Sequence, residues 1–159
     1  MSFMVPGFFF AMLAIGVPIF VVLGLVWTSC AYAADAAGIV KTRRGDAHIE
    51  RGGQRFPLDP GVGVFRGDRL LTGITGYVGI TMHDDTLLTL GPNALLVVDN
   101  YAFDTRTQDG NILVTLTRGA LSVVTGLIAK RSPESFVVKT RLSTMGVRGT
   151  EFIVEAYEY

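Results

Sequence analysis

From residue 36 onward the chain sets short apolar runs between glycines and polar turns, and no stretch keeps a 3.6-residue period for three turns. That pattern predicts β-strands. The runs are "GIVKT", "DAHIER", "RLLTG", "GYVGITM", "TLLTL", "ALLVVD", "NILVTLT", "ALSVVT", "SFVVKT", "STMGV" and "EFIVEA", and they recur at the roughly 8 to 12 residue spacing of sandwiches and rolls. Strict alternation puts Val78, Ile80 and Met82 on one face and Tyr77, Gly79 and Thr81 on the other. Ile112, Val114 and Leu116 repeat the pattern, so each of these strands has one dry face. The expected fold is all-β, a sandwich or β-roll of about ten to twelve short strands, preceded by an N-terminal hydrophobic helix.

The punctuation between runs predicts the connections. "ERGGQR" offers Gly52 and Gly53 for the positive-φ positions of a hairpin, and "TRGA" at 117–120 joins two strands through Arg118 and Gly119 as a second tight hairpin. "FPLDPGVGVFRGD", residues 56–68, packs two prolines and three glycines into what reads as an irregular loop crossing between two sheets.

Residues 1–34 carry no charged side chain, because every Lys, Arg, Asp and Glu lies at or beyond Asp35. From Phe8 to Trp27 the sequence is almost wholly apolar and reaches the length of about 20 residues that spans a bilayer. "AYAAD" then offers Ala31 and Ala33 at the two small-residue positions of a signal peptidase site, so cleavage after Ala33 is expected. The missing basic leader and the basic "KTRR" at 41–44 argue against a clean signal and leave inversion or retention open, since Lys41, Arg43 and Arg44 favour a cytoplasmic C-terminal side, although a short segment with a good cleavage site can still be exported. Cys30 could carry a lipid, but Trp27 stands where such a site wants an aliphatic residue. The chain therefore divides into a signal peptide or membrane anchor, 1–33, and a β domain, 34–159.

Charge and motif content narrow the function. Fourteen basic side chains balance fourteen acidic ones, so no net field draws in nucleic acid. One cysteine excludes an intrachain disulfide framework and a thiolate cluster. "MHDDT" places His83, Asp84 and Asp85 together as a candidate metal or proton-transfer site, yet neighbours on a strand face opposite ways, and a hairpin turn accounts for both aspartates. His48 lies on a strand face opposite Ala47 and Ile49 and reads as solvated. Ser122, Ser132, Ser135 and Ser143 lie outside any G-x-S-x-G elbow, and the phosphate-loop, dinucleotide and zinc-protease motifs are missing. No catalytic residue, cofactor or metal is expected.

The order of short motifs carries a resemblance. "GIVKTRRGDAHIERGG", "RGDRLLTGITGYVGITMHDDTLLTLGPNALLVV", "TRGALSVVTG" and "FVVKTRLSTMGVRGTEFIVEA" together make the exported part similar to the FecR-like domain, the periplasmic domain of ferric citrate regulators and of many envelope proteins. The matching positions are Gly67 and Asp68, Thr72 and Gly73, Asp84, Gly91 and Pro92, Gly119, and Arg148, Gly149 and Thr150. Asp85 stands where the family commonly has glycine. The resemblance implies an exported, all-β domain in the periplasm or cell envelope. The sigma-factor regulators of that family carry a cytoplasmic domain before the membrane helix and a further C-terminal domain, and neither is expected here, so the resemblance implies the domain and the compartment and not the regulatory activity.

Arg148 brings five donors to an interruption between two apolar runs, where it either ties down backbone carbonyls or holds an anionic ligand; tying down the backbone is the favoured reading. The expected function is a non-catalytic envelope binding or scaffold module whose partner is an envelope protein or polymer, reaching the membrane through the N-terminal segment if uncleaved. The alternative is a shortened, membrane-anchored signal transducer acting on a partner such as a sigma-factor pathway.

Overall fold

The computed structural model describes residues 35–147 and 150–157. The segment expected to form an N-terminal hydrophobic helix, Ala31, Ala33, Cys30, Arg148 and Gly149 all lie outside the described residues. Among the described residues no helix is long and apolar enough to cross a membrane.

Twelve strands form a curled, mostly antiparallel sheet: β1 (Gly38–Arg44), β2 (Ala47–Arg51), β3 (Gln54–Pro57), β4 (Gly63–Val64), β5 (Arg69–Thr72), β6 (Tyr77–Met82), β7 (Leu87–Leu90), β8 (Leu95–Phe103), β9 (Gly110–Val124), β10 (Phe136–Lys139), β11 (Thr144–Gly146) and β12 (Glu151–Ala156). The hydrogen-bonded order runs β3-β2-β5-β8-β9-β7-β6-β1-β4, with β10 and β12 also pairing β9 and with β11 pairing β10. A single helical turn, α1 (Leu127–Arg131), and a 3-10 turn over Pro133–Ser135 link β9 to β10.

The organising element is β9, fifteen residues long. Its first part pairs β8 and, in parallel, β10. Its last six residues pair β7 and β12. The expected hairpin at "TRGA" is thus corrected: the chain runs straight through Gly119 and changes partners instead of reversing. A two-residue reversal of the primed type needs positive φ at both central positions, and here only Gly119 has it, at +85°. The β8 register slips between Leu95↔Arg118 and Leu96↔Leu116, which marks a bulge at the bend. By contrast the hairpin at Gly52 and Gly53 forms as expected, with φ of +58° and +79° between β2 and β3.

The 56–68 crossing is less irregular than its composition implies. Phe56 and Pro57 close β3, and Gly63 and Val64 form β4 against Gly38 and Ile39. Both strands are edges of the order, where a proline removes no ladder donor that a neighbour needs.

Two sets of inward residues make the core. Ile49, Leu70, Leu96 and Leu116 stand opposite one another across β2, β5, β8 and β9. Val40, Ile80, Leu88 and Val123 do so across β1, β6, β7 and β9. All eight are buried and belong to one hydrophobic cluster. Phe136 and Phe152 meet edge to face with ring centres 6.2 Å apart, linking β10 to β12.

Candidate functional site

The polar motif residues fall at turns, and three knots of hydrogen bonds hold those turns together. The first is built on Asp68, which ends the turn that Gly67 makes at φ +88° and is 1% exposed. Its carboxylate accepts from Arg51 Nε at 2.8 Å and Nη2 at 2.7 Å, and from the Phe65 backbone N–H at 2.7 Å. Arg51 also donates to the Gly63 carbonyl at 2.8 Å and lies 4.3 Å over the Phe65 ring. The hydrogen bond to Asp68 raises the Arg51 pKa further above its already high value, against the opposing effect of burial. Arg51 carries no signal in the sequence beyond its place before Gly52, and sequence reasoning missed it.

Thr72 centres the second knot. Its hydroxyl donates to the Gly91 carbonyl at 2.7 Å and accepts from Ala94 N–H at 2.8 Å. Around it Gly73 N–H donates to Asp46, Asn93 N–H to Gly73, and Gly91 N–H to the Ala120 carbonyl. Pro92 stands in the same turn, and Asn93 takes φ +50°. Gly119 packs so close that an added β-carbon would lie 2.5 Å from Ala94 Cα, which excludes any side chain there.

The third knot is the β6–β7 turn. Asp84 is fully buried, while His83 and Asp85 are exposed. The Asp84 carboxylate accepts from Thr86 Oγ1 at 2.6 Å and from the Tyr101 hydroxyl at 3.4 Å, and the Asp84 N–H donates to that hydroxyl oxygen at 3.1 Å. Thr86 Oγ1 accepts from Gly126 N–H, and the Asp84 carbonyl accepts from Leu127 N–H. The turn therefore anchors the start of α1. Burial and the neighbouring Asp84 push the Tyr101 phenol far above its usual value. Asp85 takes φ +64° and closes the turn through its N–H to the Met82 carbonyl, so aspartate does here what glycine commonly does. His83, Asp84 and Asp85 do not converge. Among the described residues no group of three or more His, Cys, Asp or Glu side chains could hold a metal ion.

Thr150 is exposed, and its carbonyl accepts from Thr125 N–H at 2.9 Å. His48 is exposed on β2.

Two grooves border β12. A groove of about 590 Å³ is lined by Pro92, Asn93, Arg118, Gly119, Glu155 and Tyr157 among others. A second, of about 350 Å³, lies between the Thr140–Ser143 turn, Met145 of β11 and Ile153 to Tyr157. Glu155, Ala156 and Tyr157 border both. A further cleft of about 590 Å³ is lined by Asp35, Arg66, His83, Tyr101 and Phe103.

A family model described as FecR protein matches residues 68–158, more than half of the 159 residues. The chain belongs to the FecR family. The FecR match opens on Asp68 and takes in Thr72, Gly73, Asp84, Gly91, Pro92, Gly119 and Thr150. It leaves out Gly38 to Gly53, the first stretch of the resemblance, although β1 and β2 pack into the same core. No curated protein matches the chain. A solved structure described as a cell surface anchoring domain is similar at 29% identity, covering 38% of this FecR chain and 82% of its own, with a TM-score of 0.37.

Proposed function

We propose that this FecR-family chain is a non-catalytic, envelope-associated binding or scaffold module, and that its family motifs act as structure. One observation carries the reading. The polar atoms of Asp68, Thr72 and Asp84 are taken up by backbone and side-chain groups of the fold's own turns. Beside β12 the surface offers a partner two neighbouring grooves, with Ile153 and Tyr157 standing 67% and 69% exposed. Exposed apolar side chains beside a groove are the ordinary mark of a docking surface.

The test is site-specific photo-cross-linking in the intact source cell, with a photoreactive residue at Tyr157 and a control at Phe56 on the far edge strand β3. A discrete adduct at Tyr157 in the envelope fraction, and none at Phe56, is the expected outcome. Recovery of the chain in the cytosol without adducts removes the proposal. Mass spectrometry of the same fraction reads the mature N-terminus, either Ala34 or Met1.

A further inference from the structure

The outer edge of β12 has a legible hydrogen-bonding phase. Opposed residues of an antiparallel pair alternate between exchanging both backbone bonds and exchanging none. The Thr125 N–H donates to the Thr150 carbonyl, and Thr125 and Thr150 continue the register in which Glu151 faces Val124. Phe152, Val154 and Ala156 therefore bond to β9, while the N–H and C=O groups of Glu151, Ile153 and Glu155 point away from it. A second bond agrees: the Ala120 carbonyl, opposite Glu155, accepts from Gly91 on the other side of β9. Among the described residues no strand pairs with this outer edge.

The two ends of β9 are covered unequally on this side. Beyond its first part lie β10 and then β11, but beyond its last part lies β12 alone. A groove of about 350 Å³ opens beside β12, between Ile153–Ala156, the Thr140–Ser143 turn, Met145 of β11 and Thr117 of β9, and leaves room next to the strand. Alternate side chains of an added strand would stand beside Glu151, Ile153 and Glu155, all exposed, in an acidic, apolar, acidic row.

A second copy of this chain fits poorly. Two β12 edges joined about a two-fold axis must oppose outward-bonding residues to one another, and full overlap then sets Glu151 against Glu155 twice. Like charges directly opposite are destabilising.

We propose that β12 accepts a β-strand from a partner protein, by strand addition, and that the strand carries basic, apolar and basic side chains at alternate positions facing Glu151, Ile153 and Glu155. This rests on the binding-module reading and names the partner's chemistry. The added strand gains six backbone bonds along the edge, and the two carboxylates select its sequence.

The experiment titrates the full chain with the synthetic peptide Lys-Val-Ile-Val-Lys-Val and with a version bearing glutamate for lysine, followed by amide hydrogen exchange. Saturable binding of the lysine peptide, with new protection at Glu151, Ile153 and Glu155, is expected. Joint substitution Glu151→Lys and Glu155→Lys should weaken it at least tenfold and transfer preference to the glutamate peptide. Ile153→Pro removes an outward donor that β9 does not use and should abolish binding while keeping the denaturation midpoint. N-methylation of alternate peptide amides gives the same loss without altering the protein. Binding unchanged by charge reversal, protection elsewhere, or no saturable binding overturns the proposal, as does a dimer that charge reversal dissolves. If the peptide fails while cross-linking at Tyr157 persists, strand addition falls and the binding-module reading stands.

Discussion

Arg51 and Asp68 are suited to a double-mutant cycle because their exposures are so unequal, 41% for the Arg51 side chain and 1% for that of Asp68. Arg51→Ala strands a buried carboxylate with the Phe65 N–H as its remaining donor. Breaking a fully buried pair costs about 3 to 5 kcal/mol, and water reaching the vacated guanidinium site lowers that to about 2 to 4 kcal/mol. Asp68→Ala instead frees a guanidinium that already reaches solvent, and should cost about 1.5 to 3 kcal/mol through the lost charged hydrogen bonds. The coupling left after subtracting both single effects from the double variant should be about 1.5 to 3 kcal/mol. Urea denaturation of the four proteins, read by tryptophan-independent far-UV dichroism, measures it. A coupling below about 0.5 kcal/mol, the scale of an exposed surface pair, refutes the reasoning, as does Asp68→Ala being the more damaging change.

Tyr101→Phe should cost about 1 kcal/mol at neutral pH by removing the hydroxyl bonded to Asp84. Because the folded phenol is raised above its usual value, its contribution is complete below about pH 10 and is lost as pH climbs past that point, so the gap between variant and parent should narrow in alkaline urea titrations. Gly119→Val meets both a φ of +85° and Ala94 at 2.5 Å, and should lower stability by about 3 kcal/mol or more or prevent folding, as thermal melts would reveal. Leu96→Ala, at a fully buried centre of β8, should cost about 2 to 5 kcal/mol in the same assay, whereas Ile74→Ala, 85% exposed, should leave the midpoint within about 0.5 kcal/mol of the parent's.

Alternation alone identified the inward residues of β6 and β9, since a strand with one buried face writes its period directly into the sequence. It also located the turns at Gly52 and Asp84, where side-chain chemistry at one or two positions is decisive. What it could not separate was a turn from a bend at Gly119, because both use glycine and the difference lies in which distant strands flank the residue. Arg51 was hidden for the same reason. Its partner is seventeen residues away and reaches it only after the Gly67 turn forms. The edge phase of β12 was equally invisible, for a strand's sequence says which face is dry and nothing about which of its backbone groups a neighbour will take.

The change of partners along β9 has a consequence for the order in which the chain can fold during synthesis. Its neighbours β7 and β8 precede it, but β10 and β12 follow, the last ending at Ala156. Until β10 and β12 emerge, the central strand has one side of its ladder unpaired at both ends and Phe136 and Phe152 have not met. A stable native layer thus waits until β12 has been made. The strand that unites the finished domain therefore also delays its completion.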